Sequence, residues 1–592
     1  MSRPRPSPSA VAVVLVMLFF AVITWRWSWN DGPAIIRSDV EGYYGYLRAV
    51  FIGHDLGHER LNTTYLHQTP EGTLNKYFAG EAVLLLPFFL CAHLVAHVSG
   101  AEVDGLSLPY TRAIGLAALT YALIGLLFFR SLLRRMGLSE RSITTVVLVL
   151  GGGTQLVQYV AIQPGWSHVY SFCLVSVFLW LTWRTRLSAS TRHLVTLGLV
   201  YGLIVLVRPV NGLVVLALPV VLGNEFWRVL VGLRSNVRGL VLAGIAAGAV
   251  VCIQCVLWYA QVGSFLADGY KGEGFHWDRP LFLLVLGGIR RGLFIWTPVL
   301  LLGIVALVSL WKTDRIRCIG ALIYGAANTY VISCWWIWYY GSGWGQRVFV
   351  EHYPVFFLPI ALLLHRAGGR SYRAAVGFLV VASALTMAQF YQYNHRILHP
   401  ECMDVKKYVY TFLRFGEAYQ DRLGGMYRAA PFNPNGMDTV LTERWDAEAP
   451  AKHWNGPVDP IPDAVSAAHV AVCRAGQEFG PGFFVDASLL PTGRALYLAI
   501  ECERRVWKQD DTRQVLGIIS LEDTSGGKPY YESFAMEPLP PVPGKWEHIA
   551  YRIDIPPARA GDRLKFYFWN QHLDGAFELD DLQATLMVVR PY

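Results

Sequence analysis

The chain has 592 residues, more than one ordinary domain holds, and a mean hydropathy of +0.34. Only 16% of its residues are charged, against roughly 25% in soluble chains, so a large part of the sequence belongs in lipid. The net charge of +8 does not make it a nucleic-acid binder. The arginines fall in short clusters between apolar runs, as in cytoplasmic membrane loops, and no basic, aromatic-interleaved stripe occurs.

Residues 1–9 are basic and rich in Pro and Ser. Residues 10–26 are apolar and end in Trp25, Arg26 and Trp27, an interfacial belt. No small-x-small cleavage site follows, so the run is expected to stay as a first span with its N-terminus inside. The first extracytoplasmic region then covers 27–111. Within it, 81–98 is apolar enough to resemble a second span. However, Glu81, Pro87, His93 and His97 suit an interface. The cluster Arg130, Arg134, Arg135 and Arg141 falls inside only if 81–98 does not cross. The expectation is an interfacial or re-entrant helix.

Further spans are expected at 112–129, 142–161, 168–183, 194–207, 211–223, 239–259, 293–311, 317–334, 350–365 and 374–391. Arg-rich connections alternate with aromatic, Gly-rich ones. That predicts about eleven spans with the C-terminus outside. Residues 1–392 would form this membrane domain. Residues 393–440 read as a linker with a helix from Val405 to Tyr419. From 441 to 592 the period changes to two, as in Ala495–Glu503 and Arg563–Asn570, with Gly, Pro and Asp turns between the runs. That is the pattern of an antiparallel β-sandwich. The fold class is therefore a polytopic α-helical membrane protein with a C-terminal all-β domain.

The nine cysteines show no metal-ligand spacing. Cys252 and Cys255 lie in an apolar run. Cys473 and Cys502 fall in a polar, strand-like region and, if it is extracytoplasmic, could form a disulfide. There is no phosphate-binding loop, HExxH, GxSxG or kinase signature, which excludes nucleotide-driven chemistry.

The chemistry-bearing stretch is Ser38-Asp39-Val40-Glu41-Gly42-Tyr43-Tyr44. A carboxylate outside the membrane can take the proton of an attacking hydroxyl, and the tyrosines offer flat faces and hydroxyls to a sugar. Asp39 and Glu41 share that chemistry, and the spacing does not rank them. Asp55, beside His54, is a second acid in the same region. Lys76 and Tyr77 stand before the interfacial stretch, where a cation can meet an anionic headgroup. His168 begins a span. Arg208, next to Pro209, lies inside an apolar stretch, where an arginine is a functional candidate. Arg290 and Arg291, beside three glycines, read as a phosphate cradle. The run Trp335–Tyr353 adds Trp338, Arg347 and Glu351.

Three features together resemble the membrane glycosyltransferases of the GT-C fold, in the branch of protein O-mannosyltransferases and aminoarabinose lipid A transferases. They are the acidic motif at 38–44, the stretch from Asn75-Lys76-Tyr77 to Phe89, and the aromatic, glycine-rich loop Trp335–Arg347. They fall within residues 10–391. Val40 separates acids that are adjacent in the mannosyltransferases, and Tyr77-Phe78 replaces a Lys-Pro-Pro turn. These departures leave the sugar and acceptor open. The β region resembles jelly-roll carbohydrate-binding modules, with Trp569 as a candidate contact.

The resemblance implies a polyprenyl-phosphate sugar donor, a glycan, lipid or protein acceptor, and inversion at the anomeric carbon. Lys76, Arg290, Arg291 or Arg347 would meet the phosphate, and Asp39 would be the base. The sites would sit on the extracytoplasmic face of the cell (inner) membrane. No cofactor is required; a divalent ion held by Asp39 and Glu41 stays open. The alternative is a transporter or flippase of lipid-linked sugars. Against it, only Arg208-Pro209 breaks a span, whereas transporters carry paired broken helices near the midplane.

Overall fold

The computed structural model describes residues 6–59, 63, 65–270, 273–401, 403–424, 437–466 and 468–589. The chain divides into two compact units, residues 1–390 and 391–592.

The first unit is helical. Helix α1 (Pro8–Trp27) starts after Ser7 with proline in its first turn, where the missing N–H costs nothing. Its Val14, Leu15, Leu18 and Val22 are exposed, an apolar outer surface suited to lipid. Helix α2 (Asp39–Arg48) has Asp39 and Glu41 in its first turn and Arg48 in its last, as the helix dipole favours. The stretch expected as a loop is thus mostly helix. A short antiparallel hairpin follows, β1 (Leu66–Gln68) with β2 (Thr73–Asn75). Then come α3 (Gly80–Ser99), α4 (Leu108–Arg135), α5 (Glu140–Gly152), α6 (Ser167–Arg184) and α7 (Thr191–Val207).

Helix α7 stops where Arg208 takes an extended conformation, because the residue before a proline is disfavoured as helix. A 3-10 segment (Pro209–Ala217) continues into α8 (Leu218–Leu222), α9 (Phe226–Leu233) and α10 (Val237–Val262). Short α11 (Phe282–Gly287), α12 (Leu293–Trp296) and α13 (Leu301–Leu310) precede α14 (Arg315–Cys334). A 3-10 turn (Arg347–His352) leads into α15 (Tyr353–Arg366), and α16 (Gly369–Asn394) follows.

Among the described residues, six helical stretches are long and apolar enough to cross a membrane: Pro8–Trp27, Gly80–Ser99, Leu108–Arg135, Pro209–Val262, Arg347–Arg366 and Gly369–Asn394. This is a polytopic, integral membrane unit, but with fewer full-length spans than the eleven expected. Breaks account for part of the difference. The run 142–161 folds as α5 plus a separate turn, and 293–311 folds as short pieces. Helix α3 differs in the other direction. It runs unbroken through Pro87 for 20 residues with span-like hydropathy, where an interfacial helix was expected.

In the second unit, α17 (Val405–Thr411) is capped by Asp404, whose carboxylate accepts the Lys407 N–H at 2.9 Å. It is shorter than the Val405–Tyr419 expected; Glu417–Tyr419 is a separate 3-10 turn. Eleven strands follow: β3 (Met437–Trp445), β4 (Trp454–Asn455), β5 (Val458–Pro460), β6 (His469–Cys473), β7 (Phe479–Val485), β8 (Leu496–Arg505), β9 (Val515–Glu522), β10 (Tyr530–Ala535), β11 (Glu547–Ile555), β12 (Arg563–Asn570) and β13 (Phe577–Val589). One sheet has the order β10-β9-β12-β7-β4. The other has β11-β8-β13-β6-β5, with β3 also paired to β13. Alternate residues such as Leu498, Ile500, Phe566 and Phe568 fill the core between them, as period-two strands require.

Cys473 and Cys502 are free and buried, so the bridge that the sequence left open is not formed. They lie on β6 and β8, and β13 runs between those strands. Two strand spacings come to about 9–10 Å, beyond the roughly 7 Å that a bridge allows between Cα atoms.

Candidate functional site

Residue Ser38 has φ 58 and ψ −133, a backbone strained for any residue with a Cβ. The turn it makes starts α2 at Asp39, whose carboxylate lies at the positive end of that helix. Two contacts fix the helix. A Cβ on Gly42 would lie 2.1 Å from the Tyr77 ring, and one on Gly165 would lie 2.5 Å from Val40. Only glycine lets the Tyr77 ring lie against α2 and the Gly165-Trp166 turn dock on Val40. Asn75 holds the hairpin end in place: its Nδ2 donates to the Gly42 carbonyl at 2.9 Å, and its Oδ1 accepts the Tyr77 N–H at 3.0 Å.

The result brings three distant segments to Asp39. The Tyr77 hydroxyl donates to Oδ1 at 2.7 Å. Arg347 Nη2 lies 2.9 Å from Oδ2, with 21% of the Asp39 side chain and 11% of the Arg347 side chain exposed. The guanidinium sits over the Trp166 ring at 4.0 Å. Its Nε and Nη1 are buried and have no hydrogen-bond partner among the described residues. Burial acts to raise the Asp39 carboxyl. Arg347, the Tyr77 hydroxyl, Arg208 and His168 outweigh it and hold the group below its ordinary value. Burial and the Asp39 charge push the Tyr77 hydroxyl well up, so it stays a donor.

A second cluster centres on a buried carboxylate, with 19% of the Arg208 side chain exposed. Glu351 Oε2 lies 2.9 Å from His168 Nδ1, and Glu351 Oε1 lies 3.2 Å from Arg208 Nη1. With Nδ1 protonated, His168 donates to Glu351. The 3.2 Å approach of Arg208 to that same nitrogen is then a contact and not a hydrogen bond, since both groups carry hydrogens.

The other expected residues divide. Tyr43 stacks near Tyr77, with ring centroids 4.7 Å apart. Lys76 pairs with Glu273 and lies 5.2 Å from the Tyr270 ring centroid, beside the cluster and already neutralised. Glu41 does not join Asp39. Two residues along a helix rotate a side chain by about 200°, and Glu41 interacts with the Ser38 backbone while burial raises its carboxyl. Tyr44 donates to the Gly105 carbonyl at 2.8 Å, a packing role. Asp55 lines a separate cavity of about 100 Å³ with Arg48, Glu59 and Tyr65.

Arg290 stacks on Tyr339 at 3.4 Å, and Arg291 donates to the Gly341 carbonyl at 3.2 Å. The two guanidiniums brace the loop at 339–341 and do not form a joint cradle. Trp338 is buried, and its carbonyl accepts from Gln346 at 3.1 Å. Sequence reasoning missed Trp166 and Tyr270. The only signal for Trp166 is its place after Gly165, between a proline and His168.

The residues present do not make an ion site at Asp39. Both its oxygens are engaged, Glu41 faces elsewhere, and among the described residues no group of three His, Cys, Asp or Glu could hold a metal. An apolar groove of about 380 Å³ does open nearby. Phe282, Phe294, Ile304, Leu322, Phe349 and Phe356 line it, and Phe349 belongs to the 3-10 turn that begins with Arg347.

Neither a family model nor a curated protein sequence matches the chain. Among solved structures it is similar to the arabinosyltransferase EmbB from Mycobacterium smegmatis, at 14% identity and a TM-score of 0.35, covering 100% of this chain and 66% of that one. It is also similar to the oligosaccharyltransferase AglB from Archaeoglobus fulgidus in complex with an inhibitory peptide and a dolichol-phosphate. That match has 12% identity and a TM-score of 0.36, covering 72% of this chain and 61% of that one. The chain thus spans less than two thirds of either enzyme's length. These neighbours are GT-C glycosyltransferases. The β region is similar to the CBM22-1 xylan-binding domain of Paenibacillus barcinonensis Xyn10C, at 13% identity and a TM-score of 0.18, covering 26% of this chain and 98% of that one.

Proposed function

We propose that this protein is an inverting glycosyltransferase that moves a sugar from a polyprenyl-phosphate donor to an acceptor hydroxyl on a glycan, lipid or protein. The observation that carries this reading is the Arg347 guanidinium. One nitrogen holds Asp39, while Nε and Nη1 make no hydrogen bond among the described residues and leave donors for a phosphate oxygen. Beside it lies a carboxylate with a fifth of its side chain exposed, and the apolar groove starts two residues along the chain. Together these features suit a donor with a charged head and a long apolar tail.

In the reaction, Asp39 takes the proton of the acceptor hydroxyl as its oxygen attacks the anomeric carbon. The bond from that carbon to the phosphate oxygen breaks, and polyprenyl phosphate leaves with the electron pair. Arg347 stabilises its charge. The attacking oxygen arrives opposite the leaving one, so the configuration inverts. No metal step is needed in this reading, and a chelator should leave the rate unchanged.

The test is direct. Purified protein in lipid is incubated with radiolabelled polyprenyl-phosphate pentoses and hexoses and an acceptor extract. Label should move with wild type and not with Asp39→Asn. Transport of the intact donor across vesicles without transfer would favour the flippase reading. In this reading the site faces the extracytoplasmic side of the cell (inner) membrane and the C-terminus is expected outside. A reporter active only outside should therefore work after Tyr592 and within 27–80, and be silent after Arg135. Activity at Arg135 would show that α3 crosses the bilayer, as its length permits.

A further inference from the structure

The far end of α2 carries a cavity that the proposed reaction does not use. It holds about 100 Å³, and its walls include Arg48, Ile52, Asp55, Glu59, Tyr65 and Asn75. The backbone there departs from regular helix. Helix α2 runs on into a π-helical turn, Ala49–Gly53, and His54 then takes a left-handed conformation with φ 50. Such turns are frequent at functional sites, and a residue with a Cβ stays in that conformation only where its surroundings hold it. A Cβ on Gly53 would lie 2.4 Å from Asp55 Oδ1, so the glycine lets the Asp55 carboxylate fold back against the turn. The segment beyond is clamped. A Cβ on Gly57 would lie 2.8 Å from the Gln261 Cα, and the Gly57 carbonyl accepts the Thr73 N–H at 2.7 Å. The Glu59 carbonyl accepts from the Thr73 hydroxyl at 3.1 Å. These contacts tie the cavity's acids to the β1–β2 hairpin.

The charged groups of this cavity are not spent on one another. Arg48 Nε donates to the Asp104 carbonyl at 3.3 Å, and Glu59 accepts the Gly57 N–H at 2.8 Å. Among the described residues the Asp55 carboxylate makes no ion pair or hydrogen bond, and Arg48 pairs with neither acid. Glu59 is 7% exposed, and burial raises its carboxyl above the ordinary value. The walls thus offer a cationic donor, an anionic acceptor and a second carboxyl beside Tyr65 and the apolar Ile52. A phosphate would meet two acids. A metal ion would meet a guanidinium and too few ligands. An uncharged polyhydroxyl molecule can use the donor and the acceptors together. The volume is room for roughly seven to ten waters, the scale of one sugar ring.

We propose that this cavity is an acceptor subsite: it holds one uncharged sugar residue of an acceptor glycan, with Arg48 donating to its hydroxyls and Asp55 accepting from them. The proposal rests on the glycosyl-transfer reading above. Arg48 stands nine residues after Asp39 on α2, roughly 14 Å along the helix. That is the span of a short oligosaccharide whose terminal hydroxyl reaches the carboxylate. Asn75 joins the two places. It lines the cavity, and it also holds the Gly42 carbonyl and the Tyr77 N–H, while the Tyr77 hydroxyl donates to Asp39. The subsite therefore selects the acceptor, and the donor phosphate is met elsewhere, at Arg347.

The experiment separates this claim from the reaction itself. Full-length protein in lipid nanodiscs is mixed with neutral methyl pentosides and hexosides, and with methyl glucuronide and methyl glucosaminide as charged controls. Contact is read by saturation-transfer NMR. Wild type should bind a neutral glycoside in preference to both controls. Asp55→Asn and Arg48→Gln should each weaken that binding about 10- to 100-fold, the weight of a hydrogen bond to a charged group. In the transfer assay, KM for the acceptor should rise by the same factor in both variants, with kcat and the affinity for undecaprenyl phosphate as in wild type. If both variants keep wild-type glycoside binding and acceptor KM, the proposal is overturned and the transfer reading stands. Absence of glycoside contact in wild type overturns it too, and leaves a crevice for water only. Tighter binding of either charged control would overturn the uncharged class of ligand. If glycosides bind and both variants lose them, yet wild type moves no label, the transfer reading falls and the acceptor role falls with it. Should one variant fail to fold, the other still decides, because Arg48 stands on α2 and Asp55 on the turn after it.

Discussion

Two carboxylates in the helical unit meet arginines, and they are built to opposite specifications. Asp39 faces Arg347 across 2.9 Å with a fifth of its side chain open, and Arg347 keeps two nitrogens in reserve. Glu351 has 1% of its side chain exposed and is held from two sides by Arg208 and His168. An incoming phosphate can share Arg347 with Asp39 without stranding a charge. Arg208 keeps 19% of its side chain exposed, but taking either partner from Glu351 leaves a buried carboxylate short of a countercharge, which is costly. The first pair is exchangeable and suits chemistry. The second is closed and suits support: it pins Arg208 and α6 to the turn that carries Arg347.

That contrast can be broken by substitution. The largest effect is expected at Asp39→Asn, where loss of the base should lower transfer by about 10²–10⁴-fold with donor binding nearly unchanged. Glu41→Gln should leave transfer close to wild type, since its carboxylate faces elsewhere; a larger loss there than at Asp39 would relocate the base. Next is Glu351→Gln, whose cost should appear as stability. Removing one partner of a buried ion pair costs about 3–5 kcal/mol, read as a lowered unfolding temperature in detergent. Loss of turnover without loss of stability would make the closed cluster catalytic.

Arg347→Ala should weaken donor binding by roughly 10- to 100-fold, the weight of a charged hydrogen bond. It should also move the pH profile. In wild type the Asp39 carboxyl is held below its ordinary value, so the base stays ionised as pH falls and the acid limb of the rate lies low. Burial raises that carboxyl, and without Arg347 it loses its main opponent, so the acid limb should shift upward. A downward or absent shift would show that Arg347 is not the group holding Asp39. The smallest effect is Tyr77→Phe, which removes one hydrogen bond to the carboxylate. A drop of roughly tenfold in turnover is expected, with a smaller upward shift of the same limb.

Sequence reasoning reached the open pair more easily than the closed one, for physical reasons. Asp39 stands in a polar stretch beside an apolar run, where a carboxylate is conspicuous, and Arg347 ends a glycine-rich aromatic loop. His168 stood out only as the start of a span and Glu351 only as part of an aromatic run; the fold shows that they meet across 183 positions. The helical start at Asp39 was hidden because two glycines and three tyrosines in α2 read as loop. Their fit becomes clear only when Tyr77 is seen lying on Gly42. Arg290 and Arg291 diverge, one to a ring and one to a carbonyl, which adjacency in sequence does not reveal. The β unit was legible strand by strand, since alternation is local. Its sheet order was not, and that order is what keeps Cys473 from Cys502.

The Asp39–Arg347 contact also constrains how the protein comes into being. Asp39 is translated just after the first membrane helix, while Arg347 emerges only when most of the helical unit has been made. Between those moments the nascent chain carries an acid without its cation and a tyrosine without its full surround. The ion pair is therefore a late contact within the helical unit, although the β unit has still to be made. A chain cut short before residue 347 keeps Asp39 and Tyr77 but lacks the arginine that pairs with that carboxylate.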